Sequence, residues 1–71
     1  MSDKELLLML GNQIKKIRTE KRTKQYELAA LCNFEKASLS RIESGKTNPT
    51  VITILKICNA LQVPVTELFK E

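Results

Sequence analysis

The chain is predicted to fold as an all-α, compact five-helix domain, and three observations predict it. Apolar residues recur every three or four positions through most of the sequence, and no segment alternates apolar and polar residues at period two over a useful length. The punctuation is confined to Gly11, Gly45, Pro49, Pro64 and a few capping residues, with no linker, repeat or low-complexity tract. At 71 residues there is room for one small domain, residues 1–71, with a single modest core. A content of 42% hydrophobic and 28% charged residues suits a globular chain.

The first helix is predicted over residues 3–21. Ser2 and Glu5 are spaced for a reciprocal capping box, and Leu6, Leu10, Ile14 and Ile17 form its apolar stripe. Gly11 costs about 1 kcal/mol relative to alanine inside a helix, so a bend or fraying is expected before Asn12. A second helix, residues 25–32, turns Leu28, Leu31 and Cys32 one way, while Ala29 lets a neighbouring helix approach closely. The third, residues 36–43, places Leu39, Ile42 and the carbon stem of Glu35 on one side. Ala37, Ser40, Arg41 and Ser44 fall on the other, a smooth face of small and hydroxylated residues around one arginine. The fourth, residues 50–61, opens with Thr50 as cap after Pro49, and Val51, Ile54, Leu55, Cys58 and Leu61 make its core stripe. A fifth, residues 65–70, presents Leu68 and Phe69 inward.

Composition also excludes several classes of function. Twelve Lys and Arg against eight Asp and Glu give a net charge of +4, which favours a polyanionic partner. The run Leu6 to Leu10 is far shorter than the roughly 20 residues that span a bilayer, and it has neither the basic flank nor the cleavage site of a signal peptide, so the cytoplasm is the expected location. Cys32 and Cys58 lack CxxC spacing and no histidine is present to complete a metal site; both read as reduced core residues. Without a glycine-rich phosphate loop, a poised nucleophile or a metal cluster, no catalytic constellation, cofactor or small-molecule ligand is expected.

The junction between the second and third helices is informative. Only Asn33, Phe34 and Glu35 separate Cys32 from Lys36, and Asn33 tolerates the left-handed backbone that a tight turn requires. This is the joint of a helix-turn-helix unit, in which one helix lies across a phosphate backbone and the next enters a DNA major groove. A smooth outer face around an arginine is what such a helix needs.

Over about residues 10 to 70 the chain resembles the phage-repressor and Cro type of helix-turn-helix domain, also called the xenobiotic-response-element family. The resemblance rests on "LGNQIKKIR", "KQYELA", "LSRIESG", "TNPT" and "VTELF", five pieces in order at the right separations. It implies a lambda-repressor-like DNA-binding fold, with helices two and three as the helix-turn-helix, and a sequence-specific regulator of transcription bound to double-stranded DNA. Lys36, Ala37 and Arg41 match the family's base-reading positions, and the helical wheel independently turns Ala37, Ser40 and Arg41 outward. Gln25 matches a phosphate-binding glutamine, aided by the amino-end amides of its helix. Tyr26, Ser38 and the loop residues Lys46, Thr47 and Asn48 are the further candidates for phosphate contacts. Arg18 and Glu43 match a partly buried ion pair that holds the third helix at a fixed angle.

The sequence departs from that family pattern in places. Arg22 stands where a glycine commonly closes the first helix, so a different turn is expected. Lys24 replaces the usual serine cap of the second helix, with Thr23 expected to take over the capping role one place early. Glu35 occupies the cap of the third, bringing a negative charge near phosphates unless it pairs with Lys36.

One short helix reads roughly four to six base pairs, so a homodimer on a palindromic operator is expected. The pairing surface is either the carboxyl-terminal region from Val63 through Val65 to Phe69, with Ile52 at its margin, or the amino-terminal residues Leu7, Leu8 and Met9. An antitoxin-like module that docks a protein partner, a toxin or a polymerase, is the alternative reading.

Overall fold

The computed structural model describes residues 1–70. It contains four α-helices, α1 (Asp3–Glu20), α2 (Gln25–Leu31), α3 (Lys36–Glu43) and α4 (Val51–Leu61), and a closing 3-10 helix, Val65–Phe69. The expected fifth α-helix is therefore a 3-10 turn. Three residues per turn bring one side chain in three inward, so Leu68 is fully buried while Phe69, expected beside it, is 56% exposed. No helix among the described residues is long and apolar enough to cross a membrane.

Ser2 and Glu5 form the capping box at the start of α1: the Ser2 hydroxyl accepts the Glu5 N–H at 3.2 Å, and the Glu5 carboxylate accepts the Ser2 N–H at 3.2 Å. The helix then runs unbroken through Gly11. The expected bend does not occur, because Gly11 is buried where α3 ends, and a Cβ there would stand 2.5 Å from the carbonyl oxygens of both Ile42 and Glu43. Leu10, Ile14 and Ile17 enter the core, whereas Leu6 is exposed on the first turns, which project past it.

Two further apolar assignments are corrected. Leu31 is exposed, since Leu28, Ala29 and Cys32 set the inward face of α2 and leave Leu31 about 110° away from its centre. In α4 the inward stripe is Ile54, Ile57, Cys58 and Leu61. It is rotated from the expected one because α4 packs against α2 on one flank and the 3-10 helix on the other, leaving Val51 and Leu55 in solvent. Thr50 does cap this helix, its hydroxyl accepting the Thr53 N–H at 3.1 Å.

All four α-helices end the same way. A left-handed residue follows each, Arg22, Asn33, Gly45 and Gln62, with φ of 55°, 59°, 73° and 58°. The next N–H then reaches back to close the last turn: Thr23 to Arg18, Phe34 to Ala29, Lys46 to Arg41 and Val63 to Cys58, at 2.8–3.1 Å. Arg22 thus keeps the family's left-handed turn without its glycine, contrary to expectation. Its strain, of order 1–2 kcal/mol, is offset by those closing bonds. Thr23 does not cap α2; its hydroxyl donates to the Lys21 carbonyl, and Lys24 takes the cap position, its N–H held at 2.8 Å by Glu27.

The core draws one fully buried large side chain from each element: Ile14, Leu28, Leu39, Ile57 and Leu68. Phe34, Ala60 and Val63 pack against it. Gln13 ties the 3-10 helix to α1, its amide donating to the Glu67 carbonyl at 2.8 Å. Cys32 and Cys58 are free and buried. Burial pushes both thiols above their ordinary pKa, an effect that Lys56 partly opposes at Cys32, so both stay protonated near neutral pH.

Candidate nucleic-acid interface

Leu39 is fully buried and Ile42 nearly so, which pins α3 to the body and dictates what its other side presents. Lys36, Ala37, Ser40 and Arg41 are all exposed along that outer side. Ser44 shares the ridge, but its hydroxyl is committed to the Ser40 carbonyl at 2.8 Å. Glu35 stands exposed at the cap position without a side-chain capping bond. Among the described residues it forms no ion pair with Lys36.

A groove flanks the α3 ridge on each side. One is lined by Ser38 and Arg41 of α3, by Thr47, Asn48 and Thr50 of the segment leading into α4, and by Thr53 in the first turn of α4. Ser38 and Thr47 are half-buried in it, whereas Lys46 and Asn48 are exposed beside it. Asn12 and Lys15 of α1, Gln25 of α2, and Ser40, Glu43 and Ser44 of α3 line the other. The structure thus gathers Lys36, Ala37, Ser40 and Arg41 on one ridge, with Gln25 and Ser38 at its two margins. Tyr26 is exposed beside Gln25, on α2. Asn12, Lys15, Thr50 and Thr53 also line these grooves, although the sequence pattern did not mark them as contact candidates; the three-residue step from Asn12 to Lys15 puts that pair on one helical face.

Behind the ridge lies a buried polar junction. Arg18 donates to both oxygens of Glu43, from Nε to Oε2 at 2.7 Å and from Nη2 to Oε1 at 3.0 Å. Its remaining terminal nitrogen donates to the Thr23 carbonyl at 2.9 Å. The Gln25 amide donates to Glu43 Oε1 at 3.1 Å. One carboxylate therefore ties α1, the loop after it, α2 and α3 together, in the bidentate geometry that makes arginine–carboxylate bonds strong. Both charged residues are almost fully buried, and among the described residues no buried side-chain nitrogen or oxygen lacks a partner. No group of three or more His, Cys, Asp or Glu among the described residues is placed to hold a metal ion.

The family model described as Helix-turn-helix matches residues 14–68. The chain is similar to the HTH-type transcriptional regulator y4dJ of Sinorhizobium fredii, with 38% identity over 60 residues, covering 84% of this chain and 78% of that protein. It is similar to the control protein C.MunI of a Mycoplasma species, at 32% identity over 68 residues, 94% of this chain and 92% of the relative. In structure it resembles the restriction-modification controller protein C.AhdI of Aeromonas hydrophila, with a TM-score of 0.87 and 32% identity over 89% of this chain and 96% of that one. The chain belongs to the helix-turn-helix family.

Proposed function

We propose that the protein is a sequence-specific regulator of transcription that binds double-stranded DNA, with α2 and α3 as the helix-turn-helix pair and α3 in the major groove. The observation that carries this reading is the exposed row Lys36, Ala37, Ser40 and Arg41, backed directly by the buried Leu39 and Ile42. Similarity to a transcriptional regulator and to two controller proteins of comparable length supports it.

The chemistry follows from the side chains. Arg41 donates to the O6 and N7 acceptors of a guanine, Lys36 to a second acceptor, and the Ala37 methyl rests on a thymine methyl. Ser40 reaches a base edge between them. Gln25, Tyr26, Ser38, Lys46, Thr47 and Asn48 hold the flanking phosphates and so set register without reading sequence. Arg18 and Glu43 touch no DNA; they hold α3 at its angle. Residues 1–71 act as one domain, in the cytoplasm where the DNA is, and no catalytic step is part of the reading.

Homodimerisation on a palindrome completes it. The outer face of α4 carries Val51, Ile52 and Leu55 in solvent, and the neighbouring 3-10 helix adds Val65 and Phe69. We place the two-fold contact on this apolar surface, with Val63 excluded because it packs against the core. The amino-terminal alternative offers less: Leu7 and Met9 are half-buried, and Leu8, although 40% exposed, lies partly against Gly45.

Selection of bound fragments from random duplexes, followed by titration of the selected duplex at several salt concentrations, tests the reading. A symmetric motif whose affinity falls linearly on a log–log salt plot is expected from counterion release. Failure to enrich any motif, with salt-insensitive capture of a protein partner in its place, overturns it.

A further inference from the structure

We propose that Gly11 and Gly45 are positioning residues for base recognition: together they let the backbones of α1 and α3 touch, and that contact fixes how far α3 stands out from the body. This rests on the DNA-binding reading above and concerns its geometry.

The two glycines lie on opposite partners of one crossing. Gly11 belongs to α1, and a Cβ built on it would stand 2.5 Å from the carbonyl oxygens of Ile42 and Glu43 and 2.8 Å from the Glu43 carbonyl carbon. Gly45 follows α3, and a Cβ on it would stand 3.0 Å from both the N and the Cα of Leu8 and 2.8 Å from the Leu8 Cδ2. Most of these atoms are backbone, which cannot rotate aside as a flexible side chain would. The glycines thus remove the spacer on each side, and the last turn of α3 rests on α1 main chain at Leu8 and at Gly11, one helical turn apart.

Glu43 makes the contact directional. Its carbonyl lies over Gly11 while its carboxylate reaches Arg18, two turns farther along α1. The carboxyl end of α3 is therefore clamped in two places, and its amino end, with Lys36 and Ala37, extends away from the clamp. Helix α3 is eight residues long, roughly 12 Å. Relieving a 2.5 Å contact to ordinary van der Waals distance moves the clamp by roughly 1 Å, and base hydrogen bonds do not survive displacements of that size. Phosphate contacts made from α2 and from the loop after α3, such as those of Gln25, Tyr26 and the long flexible Lys46, tolerate such shifts better, so recognition of sequence is the property at risk.

The test compares Gly11→Ala with the wild-type protein on the selected duplex and on random duplex, with circular dichroism and melting temperature as fold checks. Alanine is the better helix former, which works against unfolding. The expected result is a loss of tenfold or more in the ratio of selected to random affinity, with random-duplex binding within about twofold of wild type and the helical signal retained. Gly45→Asn is the second variant and decides the matter if Gly11→Ala does not fold: asparagine tolerates φ of +73°, so it adds the Cβ against Leu8 without forbidding the backbone, and the same loss of ratio is expected. Gln62→Gly, at a left-handed position after α4 and outside both this crossing and the helix-turn-helix pair, should leave the ratio unchanged. A wild-type protein that selects a motif while both glycine variants keep its selectivity overturns the positioning role alone. A wild-type protein that selects nothing overturns it together with the reading on which it rests.

Discussion

Replacing Arg18 with methionine keeps the aliphatic stem and removes the guanidinium. Three hydrogen bonds go with it: two to Glu43, at 2.7 and 3.0 Å, and one to the Thr23 carbonyl at 2.9 Å. The carboxylate of Glu43, a residue only 5% exposed, is left with the Gln25 amide at 3.1 Å as its side-chain partner. An uncompensated buried charge of this kind costs about 3–5 kcal/mol. A 71-residue domain has roughly 4–11 kcal/mol to lose, at about 0.05–0.15 kcal/mol per residue. Arg18→Met should therefore remove between about a quarter and all of the stability, read as a fall in the urea midpoint at constant slope. The double variant Arg18→Met with Glu43→Leu replaces both charges with apolar groups and should recover to within about 1–2 kcal/mol of wild type. The two single costs would then greatly exceed the double cost, the coupling expected of residues in one hydrogen-bonded network. If Arg18→Met costs less than about 1 kcal/mol, or if the single losses simply add in the double variant, the junction is not what holds α3 in place.

Lys46→Ala should weaken binding to all duplexes alike and flatten the log–log salt slope by about 0.9, the share of one phosphate contact; a loss confined to one base position would contradict that role. Ile52→Glu places a carboxylate on the apolar face of α4 at a residue 62% exposed; sedimentation should show a folded monomer, and an unchanged dimer would move the two-fold contact elsewhere. Gln62→Gly relieves a left-handed φ of 58° and should raise stability by about 0.5–1 kcal/mol after the entropic cost of glycine. A thermal melt that shows no rise would mean Gln62 is unstrained.

How much of the fold can be read from sequence depends on whether local pattern or tertiary packing decides. The inward side of α3 is legible because Leu39 and Ile42, three positions apart, are the apolar residues large enough to anchor so short a helix. In α4 the segment "VITILKIC" is apolar almost throughout, so the wheel has no clear phase. Which side faces in is set by α2 and the 3-10 helix, and Ile57 is buried at the expense of Val51 and Leu55. Gly11 illustrates the opposite error. Propensity read it as a weak point, whereas the carbonyls of Ile42 and Glu43, more than thirty positions away, make it a close-packing point. The ion pair of Arg18 with Glu43 was accessible through family resemblance and not through composition. The bond from Gln25 to that same carboxylate depends on three helices meeting and has no local signature.

The central claim is that the outer side of α3 reads bases, and Arg41→Ala, titrated against every single-base variant of the selected duplex, tests it most directly. The expected result is a loss of about 1–3 kcal/mol that disappears at one base pair and its symmetry mate, where the variant no longer distinguishes the preferred base. An equal loss on every duplex would show Arg41 holding phosphate and would contradict the claim.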